Sequence, residues 1–361
     1  MKAPLSWSMS EKTFGIGLIG LNHGIKSILP ALVRSSRVNS ISLAGSKLSI
    51  GKKISSPNYE FIAKSAEEVL ESRDVEILFI ATPPATHLAF VTDALRLGKF
   101  VYCEKPGGLK SIDTFRITQL SNTSKIPVAI GYEYRFDPYI ILLRKLLNEI
   151  DTSKLLTVQI DWETNGAFSI FRQKWKQQEG EGGEVARDFL PHVVDYLAQC
   201  FPELIGQNLA AELEVESADI NYDQMLVKFQ IRNVHFRIRI VRNSLAPMGH
   251  RIHVVGLGIE IEVHRKPPYS LDSGHIRLNR IPIDIRNSKE IFHQLREIKS
   301  EITFENDLQK YATGTLVEGF LVSCMSGDFS GVPTAYDSLK YMELVDFLVS
   351  KNEPNRGNSK C

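Results

Sequence analysis

No stretch of about 18 consecutive apolar residues occurs in the chain, so no segment reads as a membrane-spanning helix. Met1–Lys12 holds no apolar stretch of signal-peptide length. Cysteine is scarce. The four residues, Cys103, Cys200, Cys324 and Cys361, stand far apart, which suits neither a disulfide framework nor a zinc site. No metal centre is expected, and a reducing cytoplasm is the expected location. Charge of one sign is missing too: 43 basic against 42 acidic side chains leave +1. That balance excludes the electrostatic footprint of a protein that binds nucleic acid or an anionic membrane, and a small molecule is the expected partner. Acidic residues are absent between Glu11 and Glu60. Internal repeats are absent as well.

What is present is apolar material, 43% of 361 residues, enough for two cores at roughly 150 residues per domain. From Phe14 to about Gly131, apolar strands alternate with helical text. Phe14–Gly20, Ile41–Ala44, Val75–Ala81, Phe100–Cys103 and Ile126–Ile130 read as strands. Ile25–Arg34, Ala66–Ser72, Pro84–Leu97 and Ser111–Ser121 read as helices. Near-continuous apolar strands separated by helices predict a parallel sheet covered on both faces, an α/β doubly wound (Rossmann) unit.

The rhythm changes after Tyr139. A helix over Tyr139–Ile150 and a strand over Leu155–Ile160 lead into a polar loop, Gly166–Gly183. A helix from about Leu190 to Cys200 follows, then strands without helices between them: Ala210–Ala218, Met225–Ile231, His235–Val241 and Arg251–Val263. Consecutive strands predict a large, mostly antiparallel sheet in an α+β domain. Helices return at Lys289–Ile298, Asp307–Ser326 and Ala335–Val349.

The first strand runs into Gly20-Leu21-Asn22-His23-Gly24 and then a helix, the position where a dinucleotide fold brings its backbone and helix N-terminus to a pyrophosphate. The strict Gly-x-Gly-x-x-Gly pattern fails, with Asn22 and Ile25 at the second and third glycine positions. Asn22 tolerates left-handed backbone, and Gly24 supplies the close approach one residue early. A plain glycine turn is the alternative. At the end of the second strand, where an NAD-binding fold places an acid on the ribose, the text reads Leu43-Ala44-Gly45-Ser46-Lys47, with Lys52 and Lys53 beyond. A hydroxyl and ammonium groups suit a 2′-phosphate, so Ser46 and Lys47 favour NADP(H), with NAD(H) possible; a solvated basic loop is the alternative. The expected division is a dinucleotide-binding domain over 12–131, a substrate-binding and oligomerisation domain over 132–351, and a polar tail over 352–361.

Four segments, in order and at the right spacing, resemble the glucose–fructose oxidoreductase / inositol dehydrogenase / MocA (Gfo/Idh/MocA) family of NAD(P)-dependent oxidoreductases. They are Ala81-Thr82-Pro83-Pro84-Ala85-Thr86-His87, Glu104-Lys105-Pro106, Gly131-Tyr132-Glu133-Tyr134-Arg135-Phe136-Asp137-Pro138, and Gly182-Gly183 followed by Asp188-Phe189-Leu190-Pro191-His192-Val193-Val194-Asp195. The resemblance spans about Phe14 to Leu348. It implies hydride transfer between a nicotinamide cofactor and a secondary alcohol or ketone of a sugar, nucleotide-sugar or cyclitol. It also implies a cis Lys105–Pro106 bond. His192 would exchange the substrate proton, Lys105 would hydrogen-bond the same oxygen, and Asp188 would orient substrate or His192. The cofactor would meet Gly20, Asn22, His23, Gly24, Ser46, Lys47, Thr82, Pro83, His87, Glu104 and Lys105. Leu190 and Pro191 depart from the small residues common in relatives. Because proline suits a first turn, Asp188 is placed just before the helix and His192 at its start, flanked by the carboxylates of Asp188 and Asp195. Tyr134, Arg135, Arg172 and Trp175 are candidate substrate contacts, with ordinary surface or hinge roles as the alternative for Arg135 and the stretch around Arg172.

Two other readings compete: reduction of an imine or unsaturated ring, and a non-catalytic nucleotide-binding regulator on the same fold. In the second half, Val227–Ile231 and Phe236–Val241 alternate apolar with polar, as for a sheet with one open face. A homodimer or homotetramer joined through that face is expected, with Lys228, Gln230, Arg237 and Arg239 meeting Glu212, Glu214 and Glu216.

Overall fold

The computed structural model describes residues 12–46, 49–56, 59–165, 182–202, 205, 212–285 and 307–352. The first part is built in chain order from β1 (Phe14–Ile19), a helical stretch Gly24–Ile28 continuing as α1 (Leu29–Leu32), β2 (Val38–Ala44), β3 (Lys53–Ser56), β4 (Tyr59–Ile62), α2 (Ala66–Glu71), β5 (Ile77–Ile80), α3 (His87–Arg96), β6 (Phe100–Glu104), α4 (Ser111–Ser124) and β7 (Val128–Gly131). Five strands form one parallel sheet in the order β2-β1-β5-β6-β7. Every residue of β1 and β5 is buried, which follows from apolar strands with both faces covered. Local signals set the helix starts: Ser65 and Glu68 cap α2 reciprocally, side chain to backbone N–H in both directions.

The hairpin β3–β4 is absent from the sequence reading. Its strands are four residues long, so periodicity has little to act on. It is held because Ile54 and Phe61 pack against the core on one side of the first sheet.

The second part comprises α5 (Pro138–Asn148), β8 (Leu155–Asn165), α6 (Val185–Cys200), β9 (Leu213–Ile220), β10 (Gln224–Ile231), β11 (Val234–Ser244), β12 (Gly249–Gly256), β13 (Ile259–Arg265), β14 (Gly274–Leu278), β15 (Ile281–Ile283), α7 (Leu308–Ser326) and α8 (Ala335–Ser350). An eight-stranded sheet runs β15-β14-β13-β12-β8-β11-β10-β9, antiparallel except where β11 lies parallel to β8. The segment expected as one strand over Arg251–Val263 is the hairpin β12–β13, turning at Leu257-Gly258 with Gly258 at φ +74°. Helices α5 and α6 set Ile140, Leu143, Val193 and Leu197 in one apolar cluster with the inward positions Val158, Ile160, Val227, Phe229, Phe236 and Ile238. The expected helix over Lys289–Ile298 and most of the polar loop Gly166–Gly183 lie outside the described residues.

On the open face, the basic positions find acids within the same sheet. Arg237 Nη1 lies 2.9 Å from Asp161 Oδ1 and Arg239 Nη1 2.5 Å from Glu163 Oε1. Glu212 is held by Arg232, and Glu216 by His235. Arg237, Arg239, Glu212 and Glu216 therefore close ion pairs within the sheet instead of with a second copy.

The last two helices return to the first sheet. Leu316, Val317, Phe320 and Leu321 of α7 share a buried cluster with Ile16, Leu18, Phe79 and Tyr102, and the Phe320 ring meets Phe79 edge-on at 5.7 Å. Helix α8 is pinned to α4 by Thr118 Oγ1 donating to Ala335 O at 3.1 Å, and to α6 by Arg187 donating to Asp346 at 2.8 Å. Burial of a side chain the size of Phe320 contributes about 1.5–3 kcal/mol. These contacts tie the two sheets together around the cleft.

Candidate active site

Strand order reverses beside β1: β2 lies on one side, while β5, β6 and β7 run away on the other. In open α/β sheets the crevice outside the strand ends at such a reversal is where ligands bind. Gly20 follows β1 at φ +110°, and a Cβ there would stand 2.2 Å from Ala81 O, so glycine is needed for the turn to close against the end of β5. Asn22 and His23 complete the turn. Helical backbone then starts at Gly24 as a π-turn that no side chain caps. Uncapped N–H groups beside a glycine turn at the reversal point suit the pyrophosphate of a dinucleotide. Ser46, just past β2, is exposed, with Oγ 3.3 Å from Ser49 Oγ. Lys47, Arg172 and Trp175 lie outside the described residues.

At the end of β5, Thr86 Oγ1 lies 2.7 Å from Thr82 Oγ1 and 2.8 Å from Pro83 O. His87 is completely buried, its Nδ1 2.9 Å from Pro106 O and its Nε2 2.9 Å from Thr82 O. It therefore clamps the loop after β5 to the loop after β6. That geometry makes His87 a scaffold of the crevice, where the sequence reading had placed it against the cofactor.

Glu104 ends β6, and the Lys105–Pro106 bond is cis. Lys105 Nζ donates to Asp188 O at 2.6 Å and to Asp188 Oδ1 at 3.0 Å. Both Asp188 and His192 stand on α6, within the helix. The expected start near Leu190 is corrected to Val185, with Pro191 inside the helix. Proline at this position withdraws the N–H that would bond the Arg187 carbonyl and crowds that turn. In the same turn, the Asp188 carbonyl is the one that receives the Lys105 ammonium. His192 lies one turn further on, buried, with the Tyr134 ring edge-on at 4.8 Å.

The second carboxylate beside His192 is also different from the one expected. Asp195 is paired with Arg135, which also reaches Tyr341 Oη at 3.3 Å. Arg135 is thus committed to an interior ion pair, its side chain 10% exposed, instead of a substrate contact. Burial lifts the Asp195 carboxyl to about 6 even though the guanidinium opposes it. Among the described residues, the acid paired with His192 is Glu133, its Oε2 3.8 Å from Nδ1.

Glu133 and Glu104 form a buried acidic pair with His23 on the glycine turn, whose Nε2 lies 3.4 Å from Glu104 Oε1. A Cβ on Gly131 would stand 3.0 Å from the Glu104 carboxylate, so glycine there makes room for the charge. Burial works against ionised Glu104, but His23 and Lys105 outweigh it and hold its carboxyl below the usual range. Burial likewise opposes the His23 imidazolium, and the Glu104 carboxylate overcomes this to raise it. For Glu133, burial and then the Glu104 charge push the carboxyl up to about 7. Trp162 completes the wall, edge-on to Phe189 at 4.9 Å and 6.3 Å from the His192 ring. Glu133 and Trp162 were missed from sequence. An acid following a buried strand, between two tyrosines, was the available signal for the first, whereas nothing local marks the second.

Among the described residues no cluster of three or more His, Cys, Asp or Glu is arranged to hold a metal ion, and no helix is long and apolar enough to cross a membrane.

A doubly wound sheet with a glycine turn at its reversal point, a lysine after the fourth of its strands, and an Asp–His pair on α6 define the α/β plus α+β architecture of the chain. Residues 14–132 match the oxidoreductase family with an NAD-binding Rossmann fold (GFO_IDH_MocA). An uncharacterised oxidoreductase of Synechocystis sp. is 27% identical over 206 residues, 56% of this chain and 55% of its own length. Glucose-6-phosphate 3-dehydrogenase of Bacillus subtilis is 24% identical over 225 residues, 58% of this chain and 63% of its own length. The chain spans about half the length of the first curated relatives it matches. A structure of levoglucosan dehydrogenase with NADH and levoglucosan superposes with a TM-score of 0.70 at 14% identity, covering 94% of this chain and 97% of that one.

Proposed function

We propose that the protein is an NAD(P)-dependent oxidoreductase that moves a hydride between the nicotinamide and a secondary alcohol or ketone of a sugar, nucleotide-sugar or cyclitol. The observation that carries the reading is the meeting of Lys105 with Asp188, one helical turn from His192, beside the strand ends where a dinucleotide would lie. When bound, the nicotinamide accepts or supplies the hydride. The chain's own residues manage the proton and the charge. Asp188 holds the Lys105 ammonium at the cleft, where it donates a hydrogen bond to the reacting oxygen and favours negative charge there. His192 takes the hydroxyl proton during oxidation and returns it during reduction, because imidazole exchanges protons near neutral pH. Gly20, Asn22, His23 and Gly24 would cradle the pyrophosphate, with Thr82, Pro83 and Glu104 along the nicotinamide half. Tyr134, beside His192, would meet the substrate.

The sugar or cyclitol class is supported by the names of the relatives, a glucose-6-phosphate 3-dehydrogenase and a levoglucosan dehydrogenase among them. NADP(H) is favoured by Ser46 and Lys47 and by the lack of an acid between Glu11 and Glu60. Pairing of two copies through the eight-stranded sheet fits its open, polar face, and the buried free thiols of Cys103, Cys200 and Cys324 suit a reducing, cytoplasmic compartment.

The test is kinetic. Lys105→Ala and His192→Ala are each expected to lower kcat by about 10²–10⁴-fold while cofactor still binds by fluorescence titration. Full activity in the double variant would remove both residues from the chemistry.

A further inference from the structure

Glu133 has no part in the reading above, yet it is buried in the middle of the site. It opens the short 3-10 turn Glu133–Phe136 after β7. Ionisable and polar groups face it from every side. His192 Nδ1 approaches from α6 at 3.8 Å, and Gln309 Nε2 from α7 at 3.5 Å. Glu104, Lys105 and His23 act on it from the end of β6 and the glycine turn. Its side chain is 6% exposed, as is that of His192. Burying a carboxyl is expensive, and nothing in the packing of the turn calls for one, since an amide of the same shape would fill the space.

The geometry points to a positioning role: we propose that Glu133 fixes the His192 ring through Nδ1, assigns Nε2 to the substrate oxygen, and stabilises the imidazolium that forms when the substrate O–H bond breaks and the Nε2–H bond is made. This inference rests on His192 being the acid–base group of the proposed reaction. The separation exceeds a direct hydrogen bond, and contacts of this kind commonly shorten when substrate arrives. A carboxyl raised to about 7 by burial and by Glu104 changes charge in the range where histidines titrate, so the two groups respond to each other near neutral pH.

The experiment follows the histidine ring nitrogens of the full chain by NMR from acid to alkaline pH. It compares the unmodified protein with Glu133→Gln and Glu133→Asp, using His192→Gln for assignment. A fully ionised opposite charge at this range moves a midpoint by about 1–3 pH units, and a carboxyl that ionises only near 7 delivers the lower end of that range. Glu133→Gln is therefore expected to lower the His192 midpoint by about that much, and Glu133→Asp to recover part of it. The pH profile of kcat/KM for alcohol oxidation should move its acidic limb downward by the same interval. A purely structural role would instead lower kcat equally at every pH. An unmoved His192 midpoint in folded Glu133→Gln or Glu133→Asp protein overturns the proposal. A shifted midpoint in a protein that turns over no sugar or cyclitol supports the Glu133–His192 pairing and counts against the proposed reaction, so the two failures are separable.

Discussion

Replacing Glu133 by Gln should change how stability depends on pH, and the size of the change follows from its burial. Its carboxyl rises from an ordinary 4.5 to about 7 in the folded chain, first through burial and then through the Glu104 charge. A carboxyl raised in this way favours folding while both states are protonated, below about pH 4.5. That advantage is lost as pH climbs through 7, where the folded chain must ionise a buried group. At about 1.4 kcal/mol per pH unit, the full swing is about 3.5 kcal/mol, an upper figure because Glu104 and His23 share the proton. With an unfolding entropy of about 2.1 cal/mol/K per residue over 361 residues, this corresponds to about 5 °C in Tm. Thermal unfolding of both proteins between pH 4.5 and 8 provides the assay. The difference in Tm, Gln variant minus parent, should increase by several degrees across that range, whatever its value at low pH. Parallel curves would refute the reasoning, since any packing change caused by the substitution is independent of pH.

Three further outcomes are expected. Phe320→Ala should destabilise the chain by about 3–5 kcal/mol, because the ring seals α7 onto Phe79 and Tyr102; a loss under 1 kcal/mol in denaturant unfolding would separate α7 from the first core. Lys47→Asp should weaken NADPH far more than NADH, and equal affinities of the unmodified protein for both cofactors by fluorescence titration would contradict the 2′-phosphate assignment. Light scattering at micromolar concentration should give at least twice the chain mass of 40.7 kDa; a monomer unchanged by NADPH would exclude pairing through the sheet.

The parallel sheet was readable because its strands are buried on both faces and so are written as continuous apolar runs, Ile77–Ile80 above all. The antiparallel sheet was readable in β10 and β11, where alternation marks one covered face. Short elements escaped: β3, β4, β14 and β15 have three to five residues each, too few for a period to emerge. Pro191 misplaced the helix start, since the local rule against interior proline was overridden by the packing of α6 on the sheet. Lys105, Asp188 and His192 were singled out by their motifs, and the structure sets Lys105 against Asp188 one helical turn from His192. Which acid stands by His192 was not, because that depends on how β7 and α6 meet: Asp195 turns to Arg135, and Glu133, from a distant part of the chain, takes the place beside the imidazole.

The central claim is that this cleft carries out hydride transfer, and the most direct measurement is the absorbance of reduced nicotinamide during incubation of the protein with NADP⁺ or NAD⁺ and a panel of sugars, nucleotide-sugars and cyclitols. Reduced cofactor is expected to accumulate with at least one of them. The double variant Lys105→Ala/His192→Ala should give none while still binding the cofactor. Tight cofactor binding with no turnover of any substrate in either direction would contradict the account and leave a nucleotide-binding regulator in its place.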